Sequence, residues 1–254
     1  MSLDQRRDLT GRADTQALLG DRVRVVALED DWARVRVAGQ PNPGDVGGYD
    51  GWVPRRQLTA RSPTRTEYVV TVVARTAWLR TDDTEARRTI EVSYGTRLSS
   101  AGTVGKHVRV LGPAGGSRRI LARDVVVHRR GTPALVASRA SVADSASAFT
   151  GLAYLWAGRS GFGLDCSGLT SLVYRVHGVV IPRDAAPQSL AGVHVARDVR
   201  VRGDLLFYAT SGTVHHVTLY VGGGLMVHAP MTGRDVEVVP VAASGYWTAR
   251  RHLE

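Results

Sequence analysis

A single cysteine, Cys166, stands in a chain of 254 residues. That excludes an internal disulfide and any zinc site built on paired cysteines. A chain without disulfides is at home on either side of a membrane. Long apolar runs are missing too, and none approaches the roughly eighteen residues expected of a membrane span. The opening stretch "MSLDQRRDLTGRADTQALLGDRV" lacks the apolar core of a secretory signal. The expectation is a protein that stays inside the cell or one whose leader has been removed, with no membrane partner. Nucleic acid is not expected either, since no RNA-binding aromatic motif, helix-turn-helix pattern or basic run occurs.

What remains is the composition of a globular protein, 43% hydrophobic and 22% charged, long enough for one to three domains. Net charge is +10, from 33 Lys+Arg against 23 Asp+Glu. Scattered arginines suit an anionic polymer such as nucleic acid or cell-wall polymer, although solubility alone accounts for them. Between residues 17 and 60, "DRVRVVAL", "DWARVRVA" and "GWVPRRQL" alternate like short strands around the loop-forming "GQPNPGDVGGYDG". Residues 66 to 128 repeat the theme more loosely, so two small β-barrels are expected. The pattern "LLGDRVRV…WARVRV…GWVPRRQL" resembles the bacterial SH3-like domain found beside cell-wall enzymes, the second copy more faintly. Gly131-Thr132-Pro133 then breaks the chain, and "ALVASRASVADSASAF" is helix-permissive up to Gly151. The boundaries predicted are 1–64, 65–131 and 132–254, the last an α+β domain.

Cys166 lies between "GRSGFGLD" and an apolar stripe formed by Leu169, Leu172, Val173 and Val176. That spacing predicts an amphipathic helix with the cysteine in its first turn. Free N–H groups and the helix dipole favour an anion there, so a lowered thiol pKa and a nucleophile are expected. The competing role is that of a small buried hydrophobe. Its flanks Asp165, Ser167 and Gly168 are polar or small, which weighs against a greasy pocket.

A thiolate nucleophile needs a base and the base an orienting partner. In "TVHHVTLYVGGGLMVHAP" alternation groups His215 with Val217, Leu219 and Val221 toward the core. His216 falls with Thr218 and Tyr220 on the other face. If the glycines form a three-residue hairpin loop, Val221 pairs with Leu225 and His228 lies opposite Thr218, one diagonal step from His216. Only an odd register separates these two histidines. Taken singly, each could be an ordinary strand residue. Metal binding by His215, His216, His228 and His194 is a lesser alternative, since adjacent strand histidines point to opposite faces.

With these residues assembled, "YLWAG…GLDCSGLTSLVY", "IPRDAAPQ", "GDLLFY" and "HHVTLYVGGGLMVHAP" resemble, in order and spacing, the NlpC-type cell-wall peptidases, a circularly permuted papain-like family. The resemblance implies a papain-like α+β fold, with Cys166 as nucleophile, His216 as general base and His228 as orienting third member. It places Tyr154 near the oxyanion position and implies no cofactor and no metal. Together with two SH3-like domains it points, more narrowly, to γ-D-glutamyl-L-diamino acid endopeptidases of the dipeptidyl-peptidase VI type. Those cut stem peptides after L-alanyl-γ-D-glutamate and require a free N-terminal alanine.

In that group the first SH3-like domain covers part of the groove and acids hold the substrate ammonium. Asp165 and Asp184 match such positions, with Ser167 beside the first, Tyr49 in "GGYDGW" as a contribution from the first barrel, and Asp21 as a weaker candidate. Asp165 has a competing role as N-cap of the following helix. Two departures stand out: Ala185 follows "PRD" where serine is common, and Ala157 replaces a glycine in "WAG". The expected partners are peptidoglycan stem peptides or muropeptides, bound by a monomer. A hydrolase of polymeric wall, or a non-catalytic wall-binding protein, are the alternatives.

Overall fold

The structure, a computed structural model, describes residues 1–44, 46–61 and 64–254. A short helix α1 (Leu3–Asp8) opens the chain. It leads to a three-stranded antiparallel sheet of β1 (Val23–Glu29), β2 (Trp32–Val37) and β3 (Tyr49–Pro54). Alternation is clean in β2, where Ala33, Val35 and Val37 are buried against Val23, Tyr49, Val53 and Leu58.

A second, seven-stranded sheet follows. It comprises β4 (Tyr68–Val72), β5 (Thr76–Arg80), β6 (Arg88–Ser93), β7 (Arg97–Val104), β8 (His107–Leu111), β9 (Ser117–Leu121) and β10 (Val125–Arg129). Their order is β10-β4-β7-β8-β9-β5-β6, around a core that includes Val70, Leu79, Val110 and Ile120.

After Pro133 the composition shifts and so does the architecture. Helix α2 (Arg139–Ser147) starts at a capping box between Ser138 and Ser141. The tight hairpin β11 (Arg159–Ser160) and β12 (Gly163–Leu164) precedes α3 (Cys166–Val176), and α4 (Ala185–Leu190) follows. A six-stranded antiparallel sheet closes the chain: β13 (Val193–Val195), β14 (Leu205–Thr210), β15 (Thr213–Gly222), β16 (Leu225–His228), β17 (Glu237–Pro240) and β18 (Tyr246–Arg251). Its order is β13-β18-β14-β15-β16-β17.

The apolar stripe of α3 meets one face of this sheet. Leu169, Leu172 and Val173 share a core with Leu205, Phe207, Val217, Leu219 and Val227. At roughly 1.5–3 kcal/mol per fully buried large apolar side chain, this contact anchors the helix that carries the cysteine. Leu206, Tyr208 and Met226 form a smaller cluster on the other face. The second sheet docks close to the same helix and to the hairpin before it: a Cβ at Gly95 would lie 2.8 Å from Leu172 Cδ1, and one at Gly161, between β11 and β12, only 1.8 Å from the Arg75 carbonyl oxygen. Among the described residues no helix is long and apolar enough to cross a membrane.

Candidate active site

The head of α3 is built by its own sequence. Asp165 has extended backbone angles and its Oδ1 accepts from the Gly168 N–H at 2.6 Å, a side-chain N-cap. Cys166 therefore occupies the first helical position, partly buried. The Gly168 position lies so close to the "WAG" loop that a Cβ there would be 2.0 Å from the Gly158 carbonyl oxygen. The β15–β16 ladder ends at Leu219↔Val227. Beyond it the Val217 N–H serves the Cys166 sulfur, as does the Ser167 N–H.

Val217 directly follows His216, and the two expected histidines do meet. His216 Nε2 lies 2.8 Å from His228 Nδ1. The even register arises differently from the sequence expectation: a two-residue turn pairs Gly222 with Leu225, and a bulge at Val221 restores Tyr220↔Met226 and Leu219↔Val227. His215 also departs from expectation. A second bulge, between Tyr208 and Ala209, skips it in the β14–β15 ladder, so its ring is exposed and reaches Thr210 Oγ1 at 3.0 Å instead of the core. Among the described residues no group of three or more His, Cys, Asp or Glu could hold a metal ion.

The acidic candidates separate. Asp165 is spent internally: besides capping Gly168 it takes Arg183 Nη1 at 3.1 Å and Nη2 at 2.7 Å, and Ser167 Oγ at 3.3 Å. Ser167 also accepts from Arg183 at 2.9 Å. Both residues are buried, so the expected open contact of Asp165 and Ser167 with a ligand is replaced by a buried arginine clamp. Asp21 lies in another network, bonded to the Leu18 N–H and to Arg175. Tyr49, by contrast, crosses from the first sheet and donates to Asp184 Oδ2 at 3.0 Å. Burial, with the charges of Asp165 and Asp14 acting the same way, raises the Asp184 carboxyl, and Arg183 and Tyr49 only partly oppose this. A cation docked there would relieve it.

Residues 151–253 match the NlpC/P60 family, and residues 72–128, the fainter of the two repeats, match the YKFC SH3b2 domain. A γ-D-glutamyl-L-lysine dipeptidyl-peptidase of Bacillus cereus is 40% identical over 265 residues, covering 100% of this chain and 80% of the relative. The Bacillus subtilis enzyme of the same name is 36% identical over 237 residues, 91% of this chain and 77% of its own. The chain belongs to the NlpC/P60 family. A crystal structure of an NlpC/P60 family protein from Bacillus cereus superposes with a TM-score of 0.92 at 39% identity, covering 100% of this chain and 87% of that one. The fold is thus α+β, SH3-like β-sheets ahead of an NlpC/P60 cysteine peptidase domain.

Electrostatics in this NlpC/P60 site run against the expectation of a lowered thiol pKa. Burial, helped by the Asp165 charge, pushes Cys166 up to about 12, and the Val217 and Ser167 N–H groups with Arg183 only partly oppose it. Burial, with the neighbouring His228 and His215, pulls His216 down to about 3. Both shifts favour an uncharged thiol and imidazole in the free site, so the helix head does not by itself ionise the sulfur. Tyr154, beside Cys166 and buried, has its phenol pKa raised first by burial and then by Cys166 and Asp165, so it stays a hydrogen-bond donor.

Sequence reasoning missed Glu237, whose Oε1 lies 3.1 Å from His228 Nε2. It also missed Arg183, which was in plain view in "IPRDAAPQ", and Asp14, which acts on both Tyr49 and Asp184 through its charge. Nothing in the spacing marks Glu237, since the pairing of β16 with β17 alone puts it opposite His228.

Proposed function

We propose that this protein is a γ-D-glutamyl-L-diamino acid endopeptidase acting on stem peptides that begin with a free L-alanine, and that its chain divides near residues 64 and 131. Cys166 is the nucleophile, His216 the general base and His228 its orienter. The thiol passes its proton to His216 as sulfur attacks the γ-glutamyl carbonyl. Tyr154 and the Cys166 N–H stabilise the oxyanion. The imidazolium then protonates the departing diamino-acid amine, and water, deprotonated by His216, hydrolyses the thioester. The ammonium of alanine docks on Asp184, Tyr49 and Asp14, while Arg183, held by Asp165 and Ser167, shapes the groove between that cluster and the sulfur.

The observation that carries this reading is the Tyr49–Asp184 hydrogen bond. It joins the first sheet to the peptidase domain at a carboxylate that Asp14 and Asp165 also act on through their charges. The name of the two Bacillus relatives, γ-D-glutamyl-L-lysine dipeptidyl-peptidase, supports the bond cleaved.

The test uses L-Ala-γ-D-Glu-L-Lys, or its diaminopimelate counterpart, with product release followed by mass spectrometry. Cys166→Ala is expected to abolish turnover with the fold intact. Acetylating the alanine amine removes one partner of a desolvated charge pair, about 2–5 kcal/mol, so kcat/KM falls by roughly 30-fold or more. Undiminished turnover by Cys166→Ala overturns the mechanism. Equal rates for free and acetylated peptide overturn the amine site.

A further inference from the structure

Strand β17 brings Glu237 directly opposite His228. The two carboxylate oxygens are used on opposite sides. Oε1 lies 3.1 Å from His228 Nε2, and Oε2 accepts from the Arg234 guanidinium at 2.6 Å. On its far side His228 Nδ1 lies 2.8 Å from His216 Nε2. Arg234, Glu237, His228 and His216 thus form one hydrogen-bonded chain that ends at His216, whose neighbour Val217 gives its backbone N–H to the Cys166 sulfur.

The protons along that chain follow from elementary donor and acceptor counting. A carboxylate can only accept, so the His228 nitrogen facing it carries the hydrogen. Burial outweighs Glu237 and keeps the His228 pKa below the ordinary imidazole range, so the ring is neutral and has one proton. Its Nδ1 is therefore bare and can only accept, which obliges His216 Nε2 to donate. His216 is neutral as well, and its single proton is then on Nε2. The lone pair is left on Nδ1, the only ring nitrogen not held by His228.

We propose that Glu237 is a positioning residue that sets the tautomers of both imidazoles, so that the basic Nδ1 of His216 is the nitrogen offered to Cys166. This rests on the reading of Cys166 and His216 as the reacting pair. Arg234 makes the requirement for a carboxylate strict. Because the guanidinium claims one oxygen as an acceptor, position 237 needs an acceptor on both sides. Glutamine has only one: Arg234 takes the amide oxygen and the NH₂ turns to His228 Nε2. Each ring keeps one proton but moves it to the other nitrogen, His228 to Nδ1 and His216 to Nδ1, and the base nitrogen is blocked.

The experiment compares the full-length protein with Glu237→Gln and with Glu237→Gln/Arg234→Ala, using histidine ¹⁵N spectra at neutral pH and steady-state kinetics on the free tripeptide. The wild type is expected to show both rings protonated at Nε2, and Glu237→Gln both at Nδ1. kcat falls on the order of 10²-fold in Glu237→Gln, with KM within about twofold, since a wrong tautomer disables a base without removing substrate contacts. Removing Arg234 frees the amide to turn its oxygen to His228, so the double variant recovers about tenfold or more. A purely structural role predicts the reverse, the double variant being the worse.

Wild-type His228 protonated at Nδ1, unchanged tautomers and kcat in Glu237→Gln, or a double variant slower than the single one would each overturn the proposal. The wild-type spectrum decides even if a variant fails to fold. These outcomes are separate from the Cys166→Ala result: an inactive Cys166→Ala alongside a fully active Glu237→Gln sinks only the tautomer argument.

Discussion

At the residue scale, the thiol is the informative group. A cysteine at the first position of a helix is expected to ionise easily, and the N-cap, the Val217 N–H and the Ser167 N–H are all present. Burial and the Asp165 carboxylate nevertheless outweigh them. The sulfur then becomes nucleophilic only as His216 accepts its proton, within the attack itself. The expected outcome is that ultraviolet difference spectra between wild type and Cys166→Ser show no thiolate absorbance from about pH 6.5 to about pH 8.5, the interval between the ordinary imidazole and thiol values. Substantial thiolate at neutral pH would mean that the two groups rest as an ion pair.

At the scale of elements, α3 is positioned by contacts at both ends of its reach. Its stripe is buried on β15, and its head is pressed on the "WAG" loop, where Gly168 leaves no room for a side chain beside the Gly158 carbonyl. Backbone on one side and a capped helix on the other cannot yield cheaply. Gly168→Ala is therefore expected to destabilise the protein by about 3 kcal/mol or more, read as a lower urea midpoint, and to displace Cys166. Helix α3 was legible from Leu169, Leu172, Val173 and Val176 because a 3.6-residue period is a local property. The histidine pair was legible in register parity but not in detail. Two bulges, at Val221 and opposite Tyr208, re-phase β15, and bulges answer to neighbouring strands rather than to the strand's own pattern.

At the scale of the whole molecule, the N-terminal segment and both N-terminal sheets are fastened to the peptidase domain. Arg183 Nε donates to Thr15 at 2.8 Å, the Arg159 N–H to Gln16 at 2.9 Å, the Trp156 indole to the Ala13 carbonyl at 2.9 Å, and the Gly161 N–H to Ser93 at 2.8 Å. Burial on this scale also sets the response to acid. His128, His177, His216, His228 and His252 all have pKa values lowered first by burial. His177 shows why: its Nδ1 is engaged with the Val173 carbonyl and its buried Nε2 has no partner, so a second proton would find no acceptor.

Below the ordinary value near 6.5 the unfolded chain binds protons that the folded chain refuses. The stabilisation is complete above that pH and is lost as pH falls toward the folded values. Urea midpoints are expected to drop from pH 7 to pH 5, and to drop less in His177→Gln. A midpoint independent of pH over that range would contradict the burial argument.

Local order was already decided in the chain: where α3 begins, which residue caps it, which face it buries, and the spacing at which one thiol and two histidines follow. These depend on helix period, strand alternation and near-neighbour hydrogen bonds, none of which needs the rest of the protein. Tertiary structure decided everything that joins residues far apart. It assigned Asp165 to Arg183 and Asp21 to Arg175, brought Tyr49 to Asp184, set Glu237 against His228, and determined whether the sulfur rests charged. Those outcomes depend on desolvation and on strand pairing across long loops, which are properties of the assembled interior and of no single stretch of sequence.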